Sequence, residues 1–187
     1  MNATLVLTHG AGSNADTPLL IAVDQALTAA GLRVIRYTLP FRRIRPHGPP
    51  RHGDAERDRA GLHEAVLSAG PGPAFLGGHS YGGRQATVLA SEQPGLAAGL
   101  LLLSYPLHPP RQADNLRTAH FPALRTPALF IHGARDPFGS PEEMAAAIGL
   151  IPTRTRLEIV DRAGHDLRVK DIGPRVAHVF NDFRETA

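Results

Sequence analysis

The stretch Ala74-Phe75-Leu76-Gly77-Gly78-His79-Ser80-Tyr81-Gly82-Gly83-Arg84-Gln85-Ala86 runs from a short apolar segment, through a serine framed by glycines, into helical spacing. Gly78, Ser80 and Gly82 make a Gly-x-Ser-x-Gly core, the pattern of a nucleophile elbow, in which the serine sits on a sharp strand-to-helix turn. Side chains two positions either side of such a serine would strike the neighbouring strand and helix, and glycine relieves the clash. The turn holds Ser80 above the strand end at a helix N-terminus, where backbone N–H groups and the helix dipole favour an oxyanion. The plainer alternative is an ordinary turn whose serine only caps the helix; the strand-turn-helix context argues against it.

Apolar, β-branched runs recur on both sides of this segment: Thr4 to Thr8, Arg33 to Tyr37, Ala74 to Leu76, Gly99 to Ser104, Ala128 to His132 and Arg156 to Val160. They read as six short strands. Helical spacing fills most of the intervals, over Pro18 to Ala30, Asp54 to Ala69, Gly83 to Glu92, Pro141 to Ile148 and Ile172 to Arg184. The alternation predicts an α/β fold, a mostly parallel sheet of about six strands with helices on both faces. Asp16-Thr17-Pro18 and Ser140-Pro141-Glu142-Glu143 are helix starts, each with a cap residue before a proline. Arg42 to Gly53, rich in Pro and Arg and without a period, reads as an exposed, extended loop.

The chain has 187 residues, which predicts one domain over 1–187. It contains no cysteine, which excludes disulfides, Cys-ligated metal and a cysteine nucleophile. The longest apolar run, Leu96 to Leu103, is far short of the roughly 20 residues a bilayer requires, and the N-terminus shows no signal-peptide pattern. A cytoplasmic location without membrane contact is the expectation. The net charge of +3 comes from dispersed arginine, and with no tryptophan the chain has little to stack on bases. A small-molecule partner is expected rather than nucleic acid.

A serine hydroxyl is a weak nucleophile near neutral pH and requires a base, which in turn requires a carboxylate to orient it. His132-Gly133-Ala134-Arg135-Asp136 puts Asp136 just past the fifth strand, and Ala163-Gly164-His165-Asp166 puts His165 just past the sixth. In a parallel sheet these loops and the elbow open on one edge, the crevice beyond the strand carboxyl ends. Asp161 and Asp166 are rival acids by their closeness to His165 in sequence, but the strand-end position favours Asp136.

In its Ser-Asp-His order and these three motifs the sequence resembles an α/β-hydrolase over nearly its full length, of the small lidless, dienelactone-hydrolase-like kind. The resemblance implies Ser80 as nucleophile, His165 as base, Asp136 as orienting acid, and no cofactor or metal. His9-Gly10-Ala11-Gly12-Ser13 is similar to the superfamily's oxyanion loop, which implies the backbone N–H groups of Ala11 and Tyr81 as oxyanion donors, with Gly12 as a substitute for Ala11. Dienelactone hydrolases proper use a cysteine, whereas this elbow carries Ser80. Tyr105 to Pro127 is too short for a helical cap domain, so the site should be open.

Other readings compete. Gly10-Ala11-Gly12-Ser13-Asn14-Ala15 also fits a dinucleotide-binding pattern of a Rossmann-type protein, although helical spacing begins only at Pro18 and the second strand carries Arg33 and Arg36 where an acid belongs. A non-catalytic binding module of the same fold is a further alternative. The ten histidines are scattered without metal-ligand spacing; His9 and His79 read as structural. The arginine-rich loop reads first as solvated and second as a rim attracting an anionic substrate through Arg42 and Arg43.

Overall fold

The structure, a computed structural model, describes residues 3–185. Its six strands are β1 (Thr4–Thr8), β2 (Arg33–Tyr37), β3 (Ala74–His79), β4 (Leu100–Leu103), β5 (Ala128–Gly133) and β6 (Thr155–Val160). They form one sheet in the order β2-β1-β3-β4-β5-β6, with every pairing parallel. The chain passes from β1 outward to β2 and then back across β1 to β3, so the order reverses between β1 and β3. Such a reversal opens a crevice at the strand carboxyl ends, because the connections on its two sides leave over opposite faces.

Six helices cover the sheet: α1 (Pro18–Ala29), α2 (Pro40–Ile44), α3 (Asp54–Leu67), α4 (Tyr81–Glu92), α5 (Pro141–Ile148) and α6 (Ile172–Glu185). Strand side chains alternate between two apolar layers. Leu100, Leu102 and Phe130 join Leu62, Leu89 and Met144 in one, while Leu101, Leu103 and Ile131 join Leu20, Val176 and Phe180 in the other. The expected starts hold: the Thr17 hydroxyl accepts from the Leu20 N–H at 3.4 Å, and Ser140 and Glu143 form a reciprocal capping box at 3.2 and 2.7 Å.

Two expectations are corrected. β3 continues through Gly77 and Gly78 to His79 rather than stopping at Leu76. A Cβ on Gly77 would lie 2.4 Å from the Leu101 carbonyl oxygen, so the glycine serves close strand packing and not a turn. The Arg/Pro-rich stretch is not extended at its start: Pro40–Ile44 is a short helix, and Phe41 and Arg42 are buried in it. Between β4 and β5 the chain is pinned to the core by the fully buried Phe121 and Leu124, and it builds no cap. Among the described residues no helix is long and apolar enough to cross a membrane.

Candidate active site

Ser80 joins β3 to α4 with φ 51° and ψ −117°. That conformation costs an L-residue about 1–3 kcal/mol, so the surroundings must hold it. They do so by contact and by hydrogen bonding. A Cβ on Gly78 would come within 2.7 Å of the Gly82 backbone, and one on Gly82 within 2.6 Å of the His9 carbonyl oxygen. The Ser80 N–H donates to the Leu103 carbonyl at 2.9 Å, tying the turn to the end of β4. Tyr81 opens α4, so its N–H has no carbonyl one turn earlier to bond.

The Ser80 hydroxyl meets His165 Nε2 at 2.8 Å, and His165 Nδ1 meets Asp136 Oδ2 at 2.8 Å. Facing a carboxylate, Nδ1 carries the ring proton, which leaves Nε2 to accept from Ser80. The carboxylate is wholly buried. Its Oδ1 accepts from the Phe138 N–H at 2.9 Å, and the His132 ring sits 3.8 Å from Oδ2. Gly133 lets the two loops approach: a Cβ there would lie 2.5 Å from the Gly164 carbonyl, and the Arg135 N–H donates to Ala163 at 2.8 Å. Asp161 and Asp166 are both exposed, and Asp166 pairs with Arg168 at 3.0 Å.

The side chains of His9 and Arg42 hold the first loop. His9 Nδ1–H donates to the Gly10 carbonyl at 2.9 Å, and its Nε2 accepts from the Leu39 N–H at 3.1 Å. Burial pushes its pKa down to about 4, so the ring is neutral. Arg42, whose loop reads from the sequence first as solvated and second as a rim for an anionic substrate, is buried. Its Nε donates to Ser13 O at 2.8 Å, Nη2 to Ala11 O at 2.7 Å and Gly48 O at 3.0 Å, and Nη1 to Arg45 O at 3.1 Å. With four backbone carbonyls taking its donors, the geometry makes Arg42 a strut under the Ala11–Ser13 loop. Arg43 donates to Thr38 O at 2.9 Å and lies over the Tyr37 ring, so it too is turned to its own neighbourhood.

Two further supports left little signal in the sequence. The fully buried Asp58 accepts from the Phe41 N–H at 2.9 Å and from the Tyr81 hydroxyl at 2.8 Å, anchoring the first residue of α4. Burial raises the pKa of both groups. His79 Nε2–H donates to the His165 carbonyl at 2.8 Å, and burial lowers its pKa, so the residue before the serine tethers the backbone of the histidine. The Gly10–Ala15 loop packs on the elbow, with a Gly10 Cβ position 3.5 Å from Ser80 Cβ, and Arg36 is paired with Asp16 and, at 2.9 Å, with Asp24.

A family model described as an alpha/beta hydrolase domain matches residues 1–178. The chain belongs to that family. Solved structures agree on the fold. A dienelactone hydrolase from Anabaena variabilis superposes with a TM-score of 0.78 at 24% identity, covering 99% of this chain and 86% of the other. A monoacylglycerol lipase from Paleococcus ferrophilus gives 0.77 at 15% identity, covering 98% and 94%. Est1E from Butyrivibrio proteoclasticus gives 0.75 at 14% identity, covering 100% and 89%. Membership of the α/β hydrolase family supports a hydrolase.

Proposed function

We propose that the protein is a serine hydrolase that cleaves small ester- or thioester-type substrates through an acyl-enzyme on Ser80. The observation that carries this reading is the continuous chain Ser80 Oγ, His165 Nε2, His165 Nδ1, Asp136 Oδ2, with both contacts at 2.8 Å, on a serine whose backbone is held at φ 51°. His165 takes the Ser80 proton as Oγ attacks the carbonyl carbon, and Asp136 fixes the ring tautomer and stabilises the imidazolium. The oxyanion that develops is received by the N–H groups of Ala11 and Tyr81. As the bond to the leaving group breaks, His165 gives the proton to the departing atom. Water then attacks the acyl-Ser80 carbonyl by the same route and frees the acid. Every proton moves through His165, and the scheme draws on no metal or cofactor.

Small 4-nitrophenyl esters and an acyl thioester test the proposal. Ser80→Ala and His165→Ala should each lower kcat by roughly 10⁴-fold or more, and Asp136→Asn by about 10³–10⁴-fold with the fold intact. Turnover that survives in Ser80→Ala would overturn it. A folded protein with no turnover of either class would favour a binding module.

A further inference from the structure

The scheme above assigns no part to a cleft of about 530 Å³ beside the elbow. Ser13 comes to it from the oxyanion loop, Pro18 and Leu19 from the first turn of α1, His79 from the end of β3, and Asp166 and Arg168 from the chain beyond His165. Neither Ser80 nor His165 lines it, but its His79 precedes Ser80 in the chain and its Asp166 follows His165. A Cβ placed on Gly10 would lie 3.2 Å from His79 Nδ1, 3.6 Å from Ser13 Oγ and 3.5 Å from Ser80 Cβ, so these three side chains gather around the Gly10 position. Its volume lies in the range of small-molecule sites.

Position and charge then narrow what the cleft can take. A departing oxygen must sit at His165 Nε2 to receive its proton, and the loop that carries His165 runs straight on into Asp166 and Arg168, the outer wall. The Phe138 ring covers the His165 ring with centroids 4.3 Å apart. The cleft brings no net charge: Asp166 and Arg168 pair with each other at 3.0 Å, and burial keeps His79 neutral near pH 7. Arg42 and Arg43, the cations that suggested an anionic substrate, are not among its lining residues. Pro18 and Leu19 supply apolar lining beside the uncharged hydroxyl residues Ser13 and Thr17.

We propose that this cleft receives the leaving group of an ester, and that it selects an uncharged alcohol or phenol with an apolar body of benzyl or hexyl size. The proposal rests on Ser80 being the nucleophile. The ester C–O bond breaks, the departing oxygen takes the proton held by His165, and the neutral alcohol leaves through the Asp166–Arg168 rim.

The test uses two series of substrates. One keeps the acetyl group and varies the alcohol through ethyl, hexyl, benzyl and 4-carboxybenzyl; the other keeps the ethyl group and varies the acyl chain from acetyl to hexanoyl. Active sites are counted by fluorophosphonate titration. In the wild type, kcat/KM should rise about 10–100-fold from ethyl to benzyl acetate, the value of burying one such group. The 4-carboxybenzyl ester should do no better than benzyl. Pro18→Trp and Arg168→Trp, which add a large ring at two exposed lining positions, should each bring the benzyl-to-ethyl ratio close to one. An unchanged ratio in both variants, a preference confined to the acyl series, or a preference for the carboxylated alcohol would each overturn the proposal. Absence of both labelling and turnover in folded wild type would instead refute the serine-hydrolase reading, and the cleft's role would fall with it.

Discussion

Replacing Arg42 with methionine keeps an unbranched stem and removes the guanidinium with all its donors. Four carbonyls then lose their partner, two on the Ala11–Ser13 loop at 2.7 and 2.8 Å and two on the 45–48 segment at 3.1 and 3.0 Å. Hydrogen bonds from a charged donor are worth about 1.5–3 kcal/mol each, but they are not additive and water recovers some of the loss, so about 3 kcal/mol of stability should go. The catalytic effect is separate. A carbonyl and the N–H groups on either side of it move together through planar peptides, so release of Ala11 O and Ser13 O shifts the loop expected to receive the oxyanion. A displacement of about 1 Å in such a site costs roughly 100-fold, and the loss should fall on kcat, with KM for a small ester nearly unchanged. Arg42→Lys keeps the charge but presents a point donor in place of a planar fork, so it should recover stability more than rate. Millimolar guanidinium should recover part of the rate of Arg42→Ala. The assays are urea denaturation and steady-state kinetics on one acetate ester. A kcat within twofold of wild type in Arg42→Met, despite lowered stability, would show that Arg42 does not position the Ala11–Ser13 loop for catalysis.

Four more outcomes follow from the same geometry. His9 has a folded-state pKa lowered from 6.5 to about 4, so the unfolded chain binds more protons between those values. Its contribution is therefore fully present above pH 6.5 and lost as pH falls toward 4, and His9→Gln should flatten the acid limb of stability by up to about 1.4 kcal/mol per pH unit in urea titrations. Asp58→Ala leaves the Phe41 N–H and the Tyr81 hydroxyl without their acceptor and should cost about 2–4 kcal/mol by urea denaturation. Gly133→Ala sets a methyl 2.5 Å from the Gly164 carbonyl and should lower kcat at least tenfold by shifting the His165 loop; Gly12→Ala, with nothing within 4 Å, should change stability by less than about 0.5 kcal/mol in a thermal melt.

The strands and the elbow were legible because their signals are local. Short apolar, β-branched runs place β1 and β2 to the residue, and the Ser80 turn declares itself through Gly78 and Gly82, whose added Cβ atoms would strike backbone at 2.7 and 2.6 Å. Asp136 and His165 were found from strand ends, which a parallel sheet gathers on one edge. Arg42 was misplaced for a physical reason. Guanidinium groups are rarely buried, and the carbonyls that take this one in belong to residues 11, 13, 45 and 48, which meet only in the folded chain. A five-residue helix led by proline has no period to detect, so α2 read as loop. Asp58 and His79 act through partners 17 to 86 positions away in sequence, beyond the reach of any local pattern.

The central claim is that Ser80 is an activated nucleophile, and intact-protein mass after exposure to a fluorophosphonate tests it without knowledge of the natural substrate. The account predicts one adduct, mapped to Ser80, absent in Ser80→Ala and formed far more slowly in His165→Ala. No adduct on folded protein, or an adduct that persists in Ser80→Ala, would contradict it.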